Sequence, residues 1–159
     1  MNDSRDEGAV EAIFIAEQAG ERPRPVDEGE LIPGHGLRGD RYFAGEGEFS
    51  HLEGSGRDLT LIEAEAIEGL AAEDGIEIDP EEARRNVLTR GIDLNALVGR
   101  RFRVGDVECR GDRLCDPCNH LQKLTKPGVL RGLANRGGLR ADVLSEGTIR
   151  VGDPIRPQT

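Results

Sequence analysis

Short apolar segments alternate with glycine-rich turns along most of this 159-residue chain, which contains 22 glycines. The clearest pair, residues 101–104 and 107–110, flanks Gly105-Asp106 and predicts a two-strand hairpin. Other short strands are predicted at 10–17, within 36–43, at 58–62, at 86–89, and at 141–144 and 148–151, the last two forming a second hairpin. Many short strands joined by turns are typical of a mostly β, barrel-like domain.

A few peripheral helices complete the predicted fold, which is α+β overall. The strand predicted at residues 58–62 is followed by a segment whose apolar residues recur at helical spacing, which predicts a helix through Ala72. Asp79-Pro80-Glu81-Glu82 has the pattern of a helix start, with a capping residue, a proline at the first position and acids in the first turn. Pro127 begins a third predicted helix that extends through Ala134. The length is that of a single domain, 1–159.

The net charge of −10 is divided unevenly along the chain. Residues 1–83 carry 23 acidic and 6 basic side chains, a balance of −17, whereas residues 84–159 carry 8 acidic and 15 basic, a balance of +7. An acidic protein is a poor match for general nucleic-acid binding, which needs a basic face. The basic half indicates either a local pocket for a small anion or pairing between the two halves.

The basic residues are almost all arginine, since Lys123 and Lys126 are the two lysines in the chain. Abundant carboxylates with little lysine are typical of proteins from salt-loving organisms, because hydrated carboxylates keep a surface soluble in brine. A GC-rich genome produces the same preference for arginine. The composition therefore predicts a halophilic protein, with genome composition as the alternative.

The chain is expected to be intracellular and cytoplasmic. Its acidic start does not match a signal peptide, and no segment approaches the roughly 18 apolar residues needed to span a bilayer. Three cysteines lie within ten positions, Cys109 to Cys118. In such a setting, cysteines clustered in this way indicate chemistry more than a disulfide framework.

The sequence RLCDPCNHLQ, residues 113–122, leaves several chemistries open. Zinc could use Cys109, Cys115, Cys118 and His120, although this spacing matches none of the usual paired knuckles. Cys115 and Cys118 have the spacing of a redox dithiol, and could form a disulfide, but no parallel α/β pattern surrounds them. A thiolate ligand for a softer metal and a purely structural role are the remaining alternatives.

Five ordered landmarks resemble the MOSC family, which is named after the C-terminal domain of molybdenum cofactor sulfurase. They are GLRGDRYF (36–43), DLTLIEAEAIEGL (58–70), RRNVLTRGIDLNALVGRRFRVGDVECRG (84–111), CDPC (115–118) and RADVLSEGTIRVGDPI (140–155). The resemblance covers about residues 8–156 and implies a barrel-like fold of short strands. It also implies a pocket for a molybdenum–molybdopterin cofactor, with a cysteine that ligates molybdenum or carries sulfur.

The resemblance assigns the reactive thiolate to Cys118, which follows a proline and ends a C-x-x-C motif. Arginines and lysines nearby would favour the thiolate. The resemblance places Arg84, Arg85 and Asn86 beside the cofactor. Further candidate contacts, suggested by the residues and their neighbours in the sequence, are Asp40, Arg41, Arg136, Gly137 and His120. Guanidinium groups suit a phosphate, and an amide both donates and accepts. The alternatives are a basic helix end at 84–86 and a structural turn at Asp40-Arg41.

Two functions follow from the resemblance. As an enzyme, the protein would hold the cofactor through Cys118 and reduce small N-hydroxylated compounds such as hydroxylaminopurines or amidoximes, with electrons from a separate reductase. As a sulfur carrier, it would take a persulfide on Cys118 from a pyridoxal-phosphate-dependent cysteine desulfurase. No nucleic-acid or membrane partner is expected, and the protein would be a monomer or a homodimer.

Overall fold

The computed structural model describes residues 6–17, 21–40, 58–115 and 137–158. Within these ranges the strands are β1 (Asp6–Ile15), β2 (Arg24–Val26), β3 (Glu28–Ile32), β4 (Gly36–Leu37), β5 (Leu59–Glu63), β6 (Val87–Ile92), β7 (Arg101–Val104), β8 (Val107–Leu114), β9 (Leu139–Val143), β10 (Gly147–Arg150) and β11 (Pro154–Pro157). The helical elements are α1 (Ala64–Asp74) and two 3-10 helices, Pro80–Ala83 and Leu94–Leu97.

Seven strands close into a barrel. Their order is β1, β11, β7, β8, β9, β5 and β6, and β6 pairs with β1 again to complete the circle. All these pairings are antiparallel except β5–β6. Strand β2 adds to one end of β1, and β10, β3 and β4 form a separate three-stranded sheet. The predicted mostly β barrel is confirmed.

The interior of the barrel is aliphatic, as the scarcity of aromatic residues predicts. Phe102 is the one aromatic side chain in the inner cluster of the described residues. Around it pack inward-facing residues of alternate strand positions, including Ile13, Leu61, Val87 and Leu139. Strand β8 shows the alternation directly, because Val107, Cys109 and Gly111 face inward while their neighbours are more exposed. Burial of this surface is the main stabilising contribution to the barrel.

Helix α1 lies outside the barrel and connects the parallel pair. Its apolar side, Ala66, Ile67 and Leu70, packs with Phe14 and Leu88 in a second cluster. Gly75 ends the helix with a positive φ of 67°, and its N–H donates to the carbonyl of Ala71 at 3.1 Å. The predicted strand-to-helix transition is confirmed. The parallel β5–β6 pairing was not anticipated, although parallel neighbours joined by a helix are the usual result of such a crossover.

The second predicted hairpin is wrong. Strands β9 and β10 border the expected turn but belong to different sheets, since β9 pairs with β5 and β8 while β10 pairs with β3. The chain leaves the barrel at Ser145, whose hydroxyl accepts a hydrogen bond from the N–H of Glu108 at 2.8 Å. A pattern of alternating residues identifies strands without identifying the neighbours with which they pair.

The predicted helix at Asp79 is only a four-residue 3-10 turn, Pro80–Ala83. Its capping signals are present, because the N–H of Asp79 donates to the Glu82 carboxylate at 2.8 Å. Arg84 then adopts a left-handed conformation, φ 61° and ψ 29°, and turns the chain into β6.

The strand predicted at 86–89 is longer than expected and extends to Ile92, while the helix predicted at 127–134 lies outside the described residues. No described helix has the length and apolarity required to cross a bilayer.

Candidate functional site

Strands β8 and β9 bring Cys115 and Gly138 together at one corner of the barrel. Leu114 and Leu139 are register partners, and the N–H of Cys115 donates to the carbonyl of Gly138 at 2.7 Å. The 21 residues between Cys115 and Gly137, which we call the cysteine segment (116–136), include Cys118. That segment lies outside the described residues, but its two boundaries are adjacent to each other.

Arg85 contacts both boundaries of the cysteine segment. Its Nε donates to the carbonyl of Gly137 at 2.9 Å, and its Nη2 donates to the carbonyl of Cys115 at 3.3 Å. The side chain is half-buried. The structure therefore unites three residues from the predicted site region, Arg85, Gly137 and Cys115, through hydrogen bonds that the sequence did not predict.

Asn86 is buried and engaged with other strands. Its side-chain oxygen accepts hydrogen bonds from the N–H and the hydroxyl of Thr60, each at 3.2 Å, and its Nδ2 donates to the carbonyl of Phe14 at 3.4 Å. Only 4% of the residue is exposed. A buried amide needs such partners, because an unpaired polar group in the interior is costly. These bonds join β6 to β5 and β1.

The side chain of Arg84 bonds to a different part of the fold from the side chains of Arg85 and Asn86. Its guanidinium donates to the carbonyl of Glu21 at 2.7 Å, on the exposed side of the 3-10 turn. Arg84 is also the one residue other than glycine with a positive φ in the described ranges. The consecutive residues Arg84, Arg85 and Asn86 thus contact Glu21, the boundaries of the cysteine segment and Thr60, respectively. The three residues were predicted together as cofactor contacts, but their side chains bind different parts of the fold.

Asp40 is almost fully buried, with 3% exposed. Its Oδ1 accepts a hydrogen bond from the N–H of Ala16 at 3.0 Å, which ties the chain after β4 to the end of β1. A contact of Asp40 with a cofactor stays a prediction. Arg41, Cys118, His120 and Arg136 lie outside the described residues, so their roles at a cofactor site also stay predictions.

Cys109 is a core residue of the barrel, with no exposed surface. Burial, followed by the nearby carboxylates of Asp58, Asp142 and Glu108, raises the pKa of its thiol to about 12. The thiol is therefore protonated at neutral pH and is a poor nucleophile. Cys115 is also buried, at 2% exposed. Among the described residues no group of three or more His, Cys, Asp or Glu side chains could hold a metal ion.

Thr60 is a buried neighbour of the candidate residue Asn86 that sequence analysis missed. It stands between two core leucines of β5, so the alternating pattern places it on the outer face of the barrel, yet it is only 7% exposed. Its register partner on β9 is Arg140, whose partner on β8 is Arg113. Thr60, Arg140 and Arg113 therefore lie in one row beside the boundaries of the cysteine segment, and Asn86 joins this row through Thr60.

Comparison with known proteins identifies the family. The family model for the MOSC domain matches residues 48–156, more than half of the chain. The chain belongs to the MOSC domain family. The expected resemblance and the barrel fold that it implied are confirmed. No curated protein sequence matches the chain significantly.

Solved structures of MOSC-like shape support the same fold. The YUAD protein from Bacillus subtilis has a TM-score of 0.78 at 20% identity, with 94% of each chain covered. YiiM from Geobacillus stearothermophilus has a TM-score of 0.72 at 14% identity, covering 96% of this chain and 75% of that one. YiiM from Escherichia coli has a TM-score of 0.65 at 18% identity, covering 95% and 70%. At these identities the likeness concerns the fold.

Proposed function

We propose that this MOSC protein binds a molybdenum–molybdopterin cofactor through the thiolate of Cys118 and reduces small N-hydroxylated compounds. The observation that carries the proposal is the closure of the barrel corner around Arg85, Cys115 and Gly137. Cys118 follows Cys115 by three residues, and three residues span at most about 11 Å. Covalent geometry therefore keeps Cys118 within reach of a site at that corner.

The donor chemistry of the three cysteines supports Cys118 as the ligand. Molybdenum held by sulfur and oxygen donors accepts a further soft thiolate. Cys109 cannot supply it, because its thiol is buried in the barrel core and protonated. Cys115 is buried, and both its N–H and its carbonyl are engaged with Gly138 and Arg85. Cys118 is then the thiol left for a metal.

The charges beside this corner suit an anionic cofactor. Arg113 and Arg140 face each other in register across β8 and β9, although like charges directly opposite each other destabilise a strand pair. Arg113 is partly neutralised by Asp112 at 2.6 Å. A phosphate group between the two arginines would be stabilised by both, since guanidinium groups bind phosphate through paired hydrogen bonds.

The reaction consumes two electrons and two protons. The N–O bond of the substrate breaks, one proton adds to the nitrogen to give an amine or amidine, and the other adds to the departing hydroxyl group, which leaves as water. When bound, the cofactor supplies the oxygen-atom chemistry, and a separate reductase supplies the electrons. The chain's own residues bind and orient: Cys118 holds the metal, and Arg113 and Arg140 hold the anionic part.

Expression in a molybdate-supplemented host that makes the cofactor tests the proposal. The purified protein should contain about one molybdenum per chain by mass spectrometry of the metal and should reduce benzamidoxime with reduced methyl viologen as donor. Cys118→Ser should lose both properties, while Cys109→Ala should keep the metal because it removes only a core thiol. A wild-type protein that stays metal-free but accepts labelled sulfur on Cys118 from a cysteine desulfurase would instead be a sulfur carrier.

A further inference from the structure

In the described part of this acid-rich chain, four arginine side chains have no ion pair. The chain carries 31 acidic side chains against 21 lysines and arginines, so a cation has many possible partners. The other described arginines all form ion pairs or side-chain hydrogen bonds. The exceptions in the described ranges are Arg100, Arg101, Arg110 and Arg140, which all lie on or directly before the strands β7, β8 and β9.

Arg101 and Arg110 face each other across the β7–β8 hairpin. They are register partners, and both are exposed on the outer face of the barrel. Like charges directly opposite each other destabilise a strand pair. The next pair of the same hairpin, Arg103 with Glu108, has opposite charges that form an ion pair at 3.2 Å. The stability of the hairpin therefore does not account for the arginine pair.

We propose that this pair and the neighbouring Arg100, which together we call the arginine face, form a docking surface for an acidic protein. Arg100 is exposed directly before β7, and its carbonyl accepts a hydrogen bond from the N–H of Gly111, the residue after Arg110. Guanidinium groups are suited to bind carboxylates of another protein. The partner is the reductase that supplies electrons. This identification rests on the proposed function, whereas the surface itself needs no cofactor.

Exposed apolar side chains border the arginine face. Among the described residues three large apolar side chains are exposed, and two of these, Val98 at 41% and Leu144 at 39%, lie beside β8. Val98 forms a bridge with Gly111, and the N–H of Leu144 donates to the carbonyl of Glu108 at 2.8 Å. Protein interfaces combine arginine with apolar contacts. The surroundings of the arginine face therefore suit a protein partner better than a free anion.

The charges beside the arginine face are unfavourable for a nucleic acid. Asp142 is the register partner of Arg110 on β9, and Glu108 lies two residues before Arg110 on β8. A nucleic acid presents a continuous row of phosphates, which carboxylates at these positions would repel. A protein can place its own carboxylates opposite the arginines and neutral or basic side chains opposite the acids, which makes the contact specific.

The net charge of −10 does not prevent an acidic partner from approaching this surface. The arginine face belongs to residues 84–159, whose balance is +7. At about 0.1 M ionic strength the Debye length is about 10 Å, so distant carboxylates are largely screened while the arginines act at contact. An acidic partner is therefore attracted at short range to the arginine face and repelled by the acidic remainder of the surface.

The test compares two double variants that have the same change in net charge. Arg101→Glu/Arg110→Glu reverses the arginine face, whereas Arg24→Glu/Arg38→Glu reverses two exposed arginines on β2 and after β4. Binding of a fluorescent polyglutamate peptide and of an acidic flavodoxin, a small electron-transfer protein, is measured on the purified proteins with and without molybdenum. The molybdenum-loaded proteins are also assayed with benzamidoxime, using either reduced flavodoxin or reduced methyl viologen as the electron donor.

We expect the wild type to bind both acidic probes at about 0.1 M KCl and more weakly at molar KCl. Reversal of the arginine face should weaken binding about tenfold or more and raise the KM for flavodoxin by a similar factor, while turnover with methyl viologen stays at the wild-type rate. The control variant should bind like the wild type. Arg101→Glu alone should raise the melting temperature, because a carboxylate would then face Arg110.

Equal losses of binding in the two double variants, or an unchanged KM for flavodoxin when the arginine face is reversed, would overturn the proposal. So would a wild type that binds neither acidic probe, or one that binds a short DNA duplex as tightly as polyglutamate. A lower melting temperature of Arg101→Glu would mean that the arginine pair serves the fold, which also contradicts the proposal. A wild type without molybdenum contradicts the proposed function alone, because the binding measurements need no cofactor.

Discussion

Thr60 and Asn86 hold each other through three hydrogen bonds across the parallel strands β5 and β6. The Thr60 N–H and hydroxyl donate to the Asn86 side-chain oxygen, and the Asn86 N–H donates back to the Thr60 hydroxyl at 3.0 Å. Both residues are buried. Because Asn86 directly follows Arg85, this pair also helps to place the arginine that contacts Cys115 and Gly137, the two boundaries of the cysteine segment.

Asn86→Ala should destabilise the protein by about 2 kcal/mol or more, because it leaves the Thr60 N–H and the Phe14 carbonyl without partners. Thr60→Val should cost about 1–3 kcal/mol. The double mutant should cost less than the sum, with a coupling of roughly 0.5–3 kcal/mol in urea unfolding. Thr148→Val, at an exposed position of β10, is the control and should be nearly neutral. Strictly additive effects would contradict the mutual bonding.

Cys109 should resist alkylation in the folded protein at alkaline pH. Its pKa is raised to about 12 by burial and by neighbouring carboxylates, from an ordinary value of 9.0. Between these two values the folded state keeps a proton that the unfolded chain releases. The contribution of the Cys109 thiol to the free energy of unfolding is therefore complete below pH 9 and is lost as pH rises toward 12. Peptide mapping after iodoacetamide treatment at graded pH checks it. Rapid labelling of native Cys109 near pH 9 would show that the thiol is accessible.

Asp58→Asn should maintain or raise the melting temperature at neutral pH. Burial raises the pKa of Asp58, and its Oδ2 accepts from the N–H groups of Gly34 and Val143 at 3.1 and 3.0 Å. A raised carboxyl pKa favours the protonated form in the folded state, so its stabilising contribution is full below the ordinary value of 3.8 and is lost as pH rises through the folded value. The amide oxygen of asparagine can accept both bonds without a charge.

The comparison variant is Asp58→Ala, which removes the acceptor and should lower the melting temperature at every pH. The advantage of Asp58→Asn over the wild type should shrink as the pH falls through the raised folded pKa toward 3.8, below which the aspartate is neutral in both the folded and the unfolded state. An advantage that grows on acidification would contradict the raised pKa assigned to Asp58 in the folded state.

Gly138→Ala should disrupt the corner of the barrel. The added methyl group would overlap the carbonyl oxygen of Leu61, so β5 or β9 would have to move. Gly152→Ala is the matched control, because Gly152 also has a positive φ, 96°, but nothing lies within 4 Å of the added carbon. Gly152→Ala should cost about 1 kcal/mol from backbone strain, and Gly138→Ala clearly more. Equal losses in urea unfolding would mean that β9 accommodates the methyl group.

Salt should stabilise the protein. The −17 balance of residues 1–83 produces repulsion that ions screen, with a Debye length of about 10 Å at 0.1 M ionic strength. Ten ion pairs of the described residues oppose this trend, but they are mostly exposed and each contributes little. The melting temperature is therefore expected to rise from dilute buffer to molar KCl. A flat or falling curve would remove the halophilic interpretation and leave the function untouched.

The tertiary structure alone decided how the site is assembled. Strands β5 and β6 are parallel neighbours, and β9 pairs with β8 while β10 leaves for the second sheet. These pairings put Arg85 against Cys115 and Gly137, and Asn86 against Thr60, over separations of 26 to 52 residues. A local pattern carries no information about contacts at such separations, because they depend on which strands the closing barrel brings together.

The amino-acid sequence by itself determined the elements and the family. The hairpin around Gly105-Asp106 and the strand-to-helix transition after Asp58 follow from turn chemistry and apolar periodicity, which act over a few residues. The order of its motifs identified the MOSC family, while the assignment of the reactive thiol to Cys118 stays a prediction. The directions taken by Arg84, Arg85 and Asn86 were set only on folding, when a left-handed Arg84 turned the chain and each side chain found a different acceptor.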